Sequence, residues 1–257
     1  MSARPVALVT GAGRGIGQGI AVALVGAGFD VVVNERTESD ETAQTLAAIA
    51  AAGGRPAVVH GDVADLDGHA ILLRAAEAAF GRLDCLVNNA GVSVLVRGDL
   101  LEATPESFDR CIAVNTRGAF FLAQAFSRHL LATEALAGAH RSIVFVTSCN
   151  AVVVSLNRGE YCVSKAGAGM AARLFAARLA PHGIGVYEVQ PGIIRTEMTL
   201  RSKDRYDALI GGGAVPAGRW GTVEDVGRVV ATMARGDLPY TVGQAVLVDG
   251  GLAMPRL

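Results

Sequence analysis

Strands alternating with helices along the whole chain predict a doubly wound α/β protein, with a parallel sheet of about seven strands and helices on both faces. Three observations carry this expectation. Short apolar runs of strand length recur from 6–10 to 244–248, and longer Ala-rich and Leu-rich segments of helix length separate them. A glycine-rich run, Gly11-Ala-Gly-Arg-Gly-Ile-Gly17, stands between the first strand and the first helix. The 257 residues contain no repeat, low-complexity tract or interdomain linker, so residues 1–257 are expected to form a single domain.

Composition removes several classes of function. A hydrophobic fraction of 51% and 32 glycines supply a core and many turns, while a formal charge of -1 offers no basic footprint for nucleic acid. No apolar run reaches membrane-spanning length, and Met1–Pro5 leads directly into the first strand, leaving no room for a signal peptide. A soluble, cytoplasmic protein with no nucleic-acid or membrane partner is the expectation. Cys85, Cys111, Cys149 and Cys162 form no Cys-x-x-Cys pair and read as reduced thiols, and the five histidines show no metal-ligand spacing. No metal site is expected.

In chain order, strand 6–10 delivers Thr10 to the glycine run, which opens a helix to about residue 27. In that context Gly11, Gly15 and Gly17 allow a tight turn and bring a pyrophosphate close to backbone N–H groups at the helix N-terminus. Strand 30–35 ends in Asn34-Glu35-Arg36, about twenty residues beyond the loop, where a carboxylate accepts from adenosine ribose hydroxyls. Helix 40–52 stops at Gly53-Gly54, strand 56–60 is followed by Asp62-Val63, and helix 68–80 precedes strand 83–87 and Asn88-Asn-Ala-Gly91. Thr104-Pro105 starts a helix expected to run without interruption through Asn115 to about residue 131. After a polar connection, strand 143–147 delivers Ser148. Helix 159–180 ends near Pro181-His-Gly183, and strand 185–189 leads into Gln190-Pro-Gly-Ile-Ile-Arg-Thr196. Residues 197–217 lack periodicity and read as a mobile substrate lid. Thr222-x-x-Asp225 caps a further helix, and strand 244–248 closes the series.

The chemistry concentrates between Ser148 and Lys165. Tyr161 and Lys165 are four apart in a helical pattern, so they share one face, one turn apart. A phenol of ordinary pKa ~10 is a poor base at neutral pH, and an adjacent ammonium stabilises its phenolate. Ser148 can hydrogen-bond the same substrate oxygen that Tyr161 protonates or deprotonates.

The motifs Thr10–Gly17, Asn88–Gly91, Asn115, Ser148, Tyr161–Lys165 and Pro191–Thr196 occur in an order and spacing that resembles the short-chain dehydrogenase/reductase family over essentially the whole chain. Within that family the chain looks like the 3-oxoacyl-[acyl-carrier-protein] reductase group. The resemblance implies a Rossmann fold and an NAD(P)-dependent oxidoreductase interconverting a ketone and a secondary alcohol. It implies a catalytic set of Asn115, Ser148, Tyr161 and Lys165, in which Asn115 holds a water linking the lysine to solvent. It further places Asp62 and Val63 at the adenine, Asn89, Ala90 and Gly91 along the cofactor, and Pro191, Gly192, Ile194 and Thr196 at the nicotinamide. Gly11, Arg14, Gly15, Ile16, Gly17, Glu35, Arg36, Tyr161 and Lys165 complete the cofactor site.

The partner is then a small ketone or alcohol, or an acyl carrier protein thioester, and the resemblance suggests a homotetramer. The cofactor is NAD or NADP. Glu35 favours NAD slightly, whereas Arg14 and Arg36 are placed to flank a 2′-phosphate. Two other readings stand beside the reductase: a non-catalytic dinucleotide-binding regulatory or scaffold protein, and a dehydrogenase of a sugar, polyol or other small alcohol. Arg97, Arg158, Arg195 and Arg201 are candidates to attract an acidic group, against the reading of solvated surface charges.

Overall fold

The apolar runs of the sequence assemble into one seven-stranded parallel sheet of order β3-β2-β1-β4-β5-β6-β7. The computed structural model describes residues 4–200 and 202–255. The strands are β1 (Val6–Thr10), β2 (Asp30–Glu35), β3 (Pro56–His60), β4 (Cys85–Asn88), β5 (Arg141–Val146), β6 (Ile184–Pro191) and β7 (Ala245–Val248). The helices are α1 (Gly15–Gly26), α2 (Asp40–Ala51), α3 (His69–Phe80), α4 (Pro105–Cys111), α5 (Ala119–Ala132), α6 (Gly159–Leu179), α7 (Glu197–Leu200), α8 (Lys203–Gly211) and α9 (Val223–Arg235).

Side chains of successive strand residues point to opposite faces, and this alternation builds two cores. On one face Leu8, Leu86, Ile143 and Phe145 pack with Leu72, Phe126 and Ala172, from α3, α5 and α6. On the other Val9, Val33, Val87 and Val144 pack with Ile20, Ile49 and Val230, from α1, α2 and α9. Local chemistry sets the helix ends. Ser39 Oγ accepts from Thr42 N at the start of α2, Thr104 precedes Pro105 in α4, and Thr222 and Asp225 form a reciprocal capping box on α9. The strand order reverses between β1 and β4, and ligands of such sheets bind beyond the strand C-termini at that point.

Two elements differ from the sequence expectation. The helix read as continuous from 105 to 131 is interrupted by a π-helical stretch, Ile112–Gly118, containing Asn115. The side-chain periodicity is nearly the same on both sides of such an insertion, so the sequence pattern does not reveal it; π-bulges occur frequently at functional sites. The segment 197–217 is not aperiodic coil: it holds α7 and α8, with Tyr206 of α8 buried edge-on against Trp220 at 5.6 Å. Its core is a small cluster of Ile193, Tyr206 and Val215, which gives too few apolar positions to create a readable period. Arg201 lies outside the described residues.

Candidate active site

Each strand end around the reversal point contributes one wall of a single crevice. At the end of β1, Thr10 Oγ1 accepts from the backbone N–H groups of Asn89 and Ala90 at 3.1 and 3.0 Å, and Asn89 Nδ2 donates to the carbonyls of Thr10 and Gly11 at 2.8 Å each. The loops after β1 and β4 are therefore stitched together. Glycine is required where they meet: a Cβ on Gly17 would lie 2.3 Å from Gly11 O and 2.6 Å from Asn89 Nδ2. Gly11 has φ +60°, and its Cβ would lie 2.8 Å from the Cα of Ala90.

The α1 N-terminus suits a pyrophosphate. Arg14 occupies the cap position without a side-chain capping bond, and the first turn contains no acidic residue, so the positive pole of the helix is unopposed there. The side chain that comes nearest to a Cβ built on Gly15 is that of Thr196, at 3.6 Å, which brings the Pro191–Thr196 segment against the glycine loop. Gly192 follows β6 with its N–H bonded to Val248 O, Ile194 is buried, and Thr196 N donates to Thr199 Oγ1 at 2.9 Å.

Around the predicted adenosine end, Glu35 Oε1 accepts from Gly13 N at 2.9 Å, fixing the carboxylate against the loop rather than on Arg36. Arg36 instead faces Asp62 at 4.0 Å, while Asp62 Oδ1 also accepts from Ala64 N at 2.8 Å. Val63 is buried, with its carbonyl bonded to His69 Nε2. Arg14 pairs with Glu197 at 3.0 Å and Glu41 at 3.5 Å. Both arginines expected to flank a 2′-phosphate thus have carboxylate partners, which the sequence did not reveal because all three acids are remote from them in the chain.

Toward the centre of the sheet the predicted reacting groups converge. Ser148 caps the short helical turn after β5 and accepts from Asn150 N at 3.2 Å. Burial pushes the Tyr161 phenol above its usual range; hydrogen bonding to Ser148 and the positive charge of Arg158 oppose that rise, while Cys149 and Tyr206 add to it. Lys165 is buried and its Nζ donates to Val146 O at 3.0 Å, 5.7 Å from the centre of the Tyr161 ring. Desolvation lowers its pKa to about 8, partly countered by Cys111 and Glu188. The sequence reading gave the lowering of the phenol pKa to Lys165. In the structure Arg158, 5.4 Å from the ring centre, is a second cation beside the phenol that the sequence reading did not assign, and the Lys165 ammonium at 5.7 Å is turned to the Val146 carbonyl.

Asn115 lies in the π-helical stretch and its amide is fully engaged. Oδ1 accepts from Val92 N at 2.8 Å, and Nδ2 donates to Val92 O and to Ser164 Oγ, each at 2.9 Å. It locks the strand-end loop to α6 one residue before Lys165. A Cβ on Gly91 would lie 3.2 Å from both Asn115 Oδ1 and Lys165 Nζ, so the missing side chain keeps open the space between them.

The match to known proteins spans this whole arrangement. The family model described as enoyl-(acyl carrier protein) reductase matches residues 11–253. The chain is a short-chain dehydrogenase/reductase. It is 33% identical over 249 residues to 2-dehydro-3-deoxy-D-gluconate 5-dehydrogenase of Dickeya dadantii, covering 96% of this chain and 94% of that one. A crystal structure of a 3-oxoacyl-[acyl-carrier protein] reductase from Brucella melitensis in complex with NAD superposes with TM-score 0.95 at 45% identity, over 100% of both chains. A structure from Agrobacterium tumefaciens with bound NADP superposes with TM-score 0.84 at 34% identity, over 96% of each chain. This dehydrogenase/reductase is accordingly an NAD(P)-dependent enzyme that interconverts a ketone and a secondary alcohol by hydride transfer, and a non-catalytic role is not favoured.

Sequence reasoning missed four contributors. Thr10 stood in the motif, yet its hydroxyl was given no task. Ser164 holds Asn115 and donates to Tyr161 O at 2.8 Å; its position one residue before Lys165 was the available signal. Glu188 is buried in β6, accepting from Thr147 and Gln190 at 2.6 and 2.8 Å. Tyr206 comes from α8, and nothing local in the sequence points to it. No helix among the described residues is long and apolar enough to cross a membrane.

Proposed function

We propose that Tyr161 is the proton-transfer residue, Ser148 the substrate-oxygen anchor, Lys165 the group that binds the nicotinamide ribose, and Asn115 the residue that positions α6 beneath them. The observation that carries this reading is the placing of Ser148 just beyond β5, with Tyr161 and the buried Lys165 one turn apart on α6 and the ammonium 5.7 Å from the ring centre, at the strand ends where the sheet order reverses. The bound nicotinamide supplies or receives the hydride at the carbonyl carbon. In reduction Tyr161 Oη gives its proton to the carbonyl oxygen, and in oxidation it takes the alcohol proton back. Ser148 Oγ donates to that oxygen as charge develops on it. With a pKa near 8, Lys165 is charged at neutral pH and can draw toward the phenolate as it forms.

The cofactor preference is assigned to NAD. Glu35 is held at the glycine loop, where it would accept from ribose hydroxyls, and Arg14 and Arg36 face carboxylates rather than standing free for a 2′-phosphate. The substrate is assigned to the small hydroxy or oxo compounds of the relatives' kind, with 3-oxoacyl thioesters and sugar acids as the two named classes. Residues 1–257 are assigned to one domain with 197–217 as its lid. A cytoplasmic homotetramer is the assembly proposed, because Phe108, Phe121, Val163, Met170 and Leu174 are exposed on α4, α5 and α6 and β7 ends the sheet at an open edge. The test is turnover of a panel of ketones and alcohols with each cofactor, followed by nicotinamide absorbance. Turnover with both classes absent would overturn the reading.

A further inference from the structure

Three segments that are distant in sequence meet on the substrate side of Tyr161. Arg158 precedes α6 and places its guanidinium carbon 5.4 Å from the Tyr161 ring centre. Arg97, from the loop after β4, approaches Tyr206 Oη with Nη2 at 3.5 Å. Tyr206, which receives that contact, is buried on α8. Both arginines are half-buried as residues. Among the described residues neither has a carboxylate partner, although Arg14 and Arg36 in the same crevice both do. The one side-chain bond of Arg158 is from Nε to Ser155 Oγ at 3.3 Å, which leaves its two terminal nitrogens to other acceptors.

A half-buried arginine without an anion gives up hydration for only the weaker return of a ring face or a hydroxyl. Two such cations, one over the Tyr161 ring and one at the Tyr206 hydroxyl, in a crevice whose Arg14 and Arg36 are both paired, imply that the missing anion arrives from outside. We infer that the substrate carries an oxyanion, a carboxylate in the simplest case, which Arg158 and Arg97 bind beside the reacting carbon while Tyr206 closes over it from the lid. This rests on the assignment of Tyr161 as the proton-transfer residue. The planar fork of arginine suits such a group, since two parallel N–H donors match two carboxylate oxygens and fix the orientation of the bound acid. The inference selects among the substrate classes: a small oxo or hydroxy acid fits, and a neutral thioester on a carrier protein leaves both cations uncompensated.

The experiment uses ketones presented in pairs, each as the free acid and as its methyl ester, with nicotinamide absorbance giving kcat/KM for the wild type, Arg158→Gln, Arg97→Gln and Arg158→Lys. The acid-to-ester ratio cancels any effect of a substitution on Tyr161 itself. The wild type is expected to prefer the acids by about tenfold or more, each Gln variant to lose about tenfold of that ratio, and Arg158→Lys to recover part of it. Equal use of acid and ester by the wild type, or a ratio that does not move in both Gln variants, would overturn the inference. So would turnover confined to neutral ketones and thioesters, which leaves the oxidoreductase assignment standing. Failure to turn over any member of the panel or any other ketone would remove that assignment and the inference with it.

Discussion

Replacing Lys165 with Met should make the protein inactive and more stable. The ammonium is buried, and desolvation lowers its pKa from 10.5 to about 8. At ~1.4 kcal/mol per unit, holding the charge inside the fold costs on the order of 3 kcal/mol at neutral pH. Methionine fills similar volume without the charge, but leaves the Val146 carbonyl without its donor, a loss of about 1 kcal/mol. The net gain of about 2 kcal/mol corresponds to a Tm rise of roughly 5 °C for a chain of this length.

The pH dependence separates this cause from improved packing. Below about pH 8 the wild-type lysine is charged in both folded and unfolded chains, so the whole penalty is present. As pH rises from there toward 10.5 the folded protein releases the proton first and the penalty fades. Thermal unfolding of the ligand-free proteins, followed by circular dichroism near pH 7 and near pH 9.5, should therefore show a gap that narrows at the higher pH. A variant less stable than the wild type near neutral pH, or a gap independent of pH, would refute the reasoning.

Gly17→Ala should lose dinucleotide affinity by tenfold or more and lower Tm, because its Cβ meets the Gly11 carbonyl at 2.3 Å; titration with the cofactor checks it. Glu35→Ala should move the kcat/KM ratio toward NADP by about tenfold, ~1.4 kcal/mol, by removing a negative charge that a 2′-phosphate would face. An unmoved ratio would make that carboxylate merely a brace for Gly13. Light scattering at micromolar concentration should return a multiple of the 26.4 kDa chain mass; a single chain's mass would contradict the assembly read from the exposed faces of α4, α5 and α6.

The strands and the motifs at their ends were legible because each depends on a few adjacent residues. A buried parallel strand is an apolar run, and its C-terminal end must give way to glycine or a small polar residue where backbones approach, as at Gly11, Gly17 and Gly91. The rest depended on residues far apart. Arg14 reads as a free cation until Glu197, which begins α7, is seen beside it. Asn115 reads as a helical core amide, while the π-helical stretch that aims it at Val92 and Ser164 leaves almost no trace in the side-chain pattern. Tyr206 belongs to a segment whose apolar residues are too sparse for a period, and its place near Tyr161 comes entirely from tertiary packing. Arg158 is the local exception: it stood in the sequence as one surface charge among several, and the turn that opens α6 brings it over the Tyr161 ring three residues on.

The central claim is that the Tyr161 oxygen moves the proton while the rest of the site binds the dinucleotide and the substrate. Tyr161→Phe removes that oxygen and keeps the ring that Arg158 covers. With any substrate the wild type turns over, kcat should fall by roughly 10²-fold or more, while the dinucleotide Kd from fluorescence titration stays within about twofold. Near-wild-type turnover in the Phe variant would contradict the claim outright.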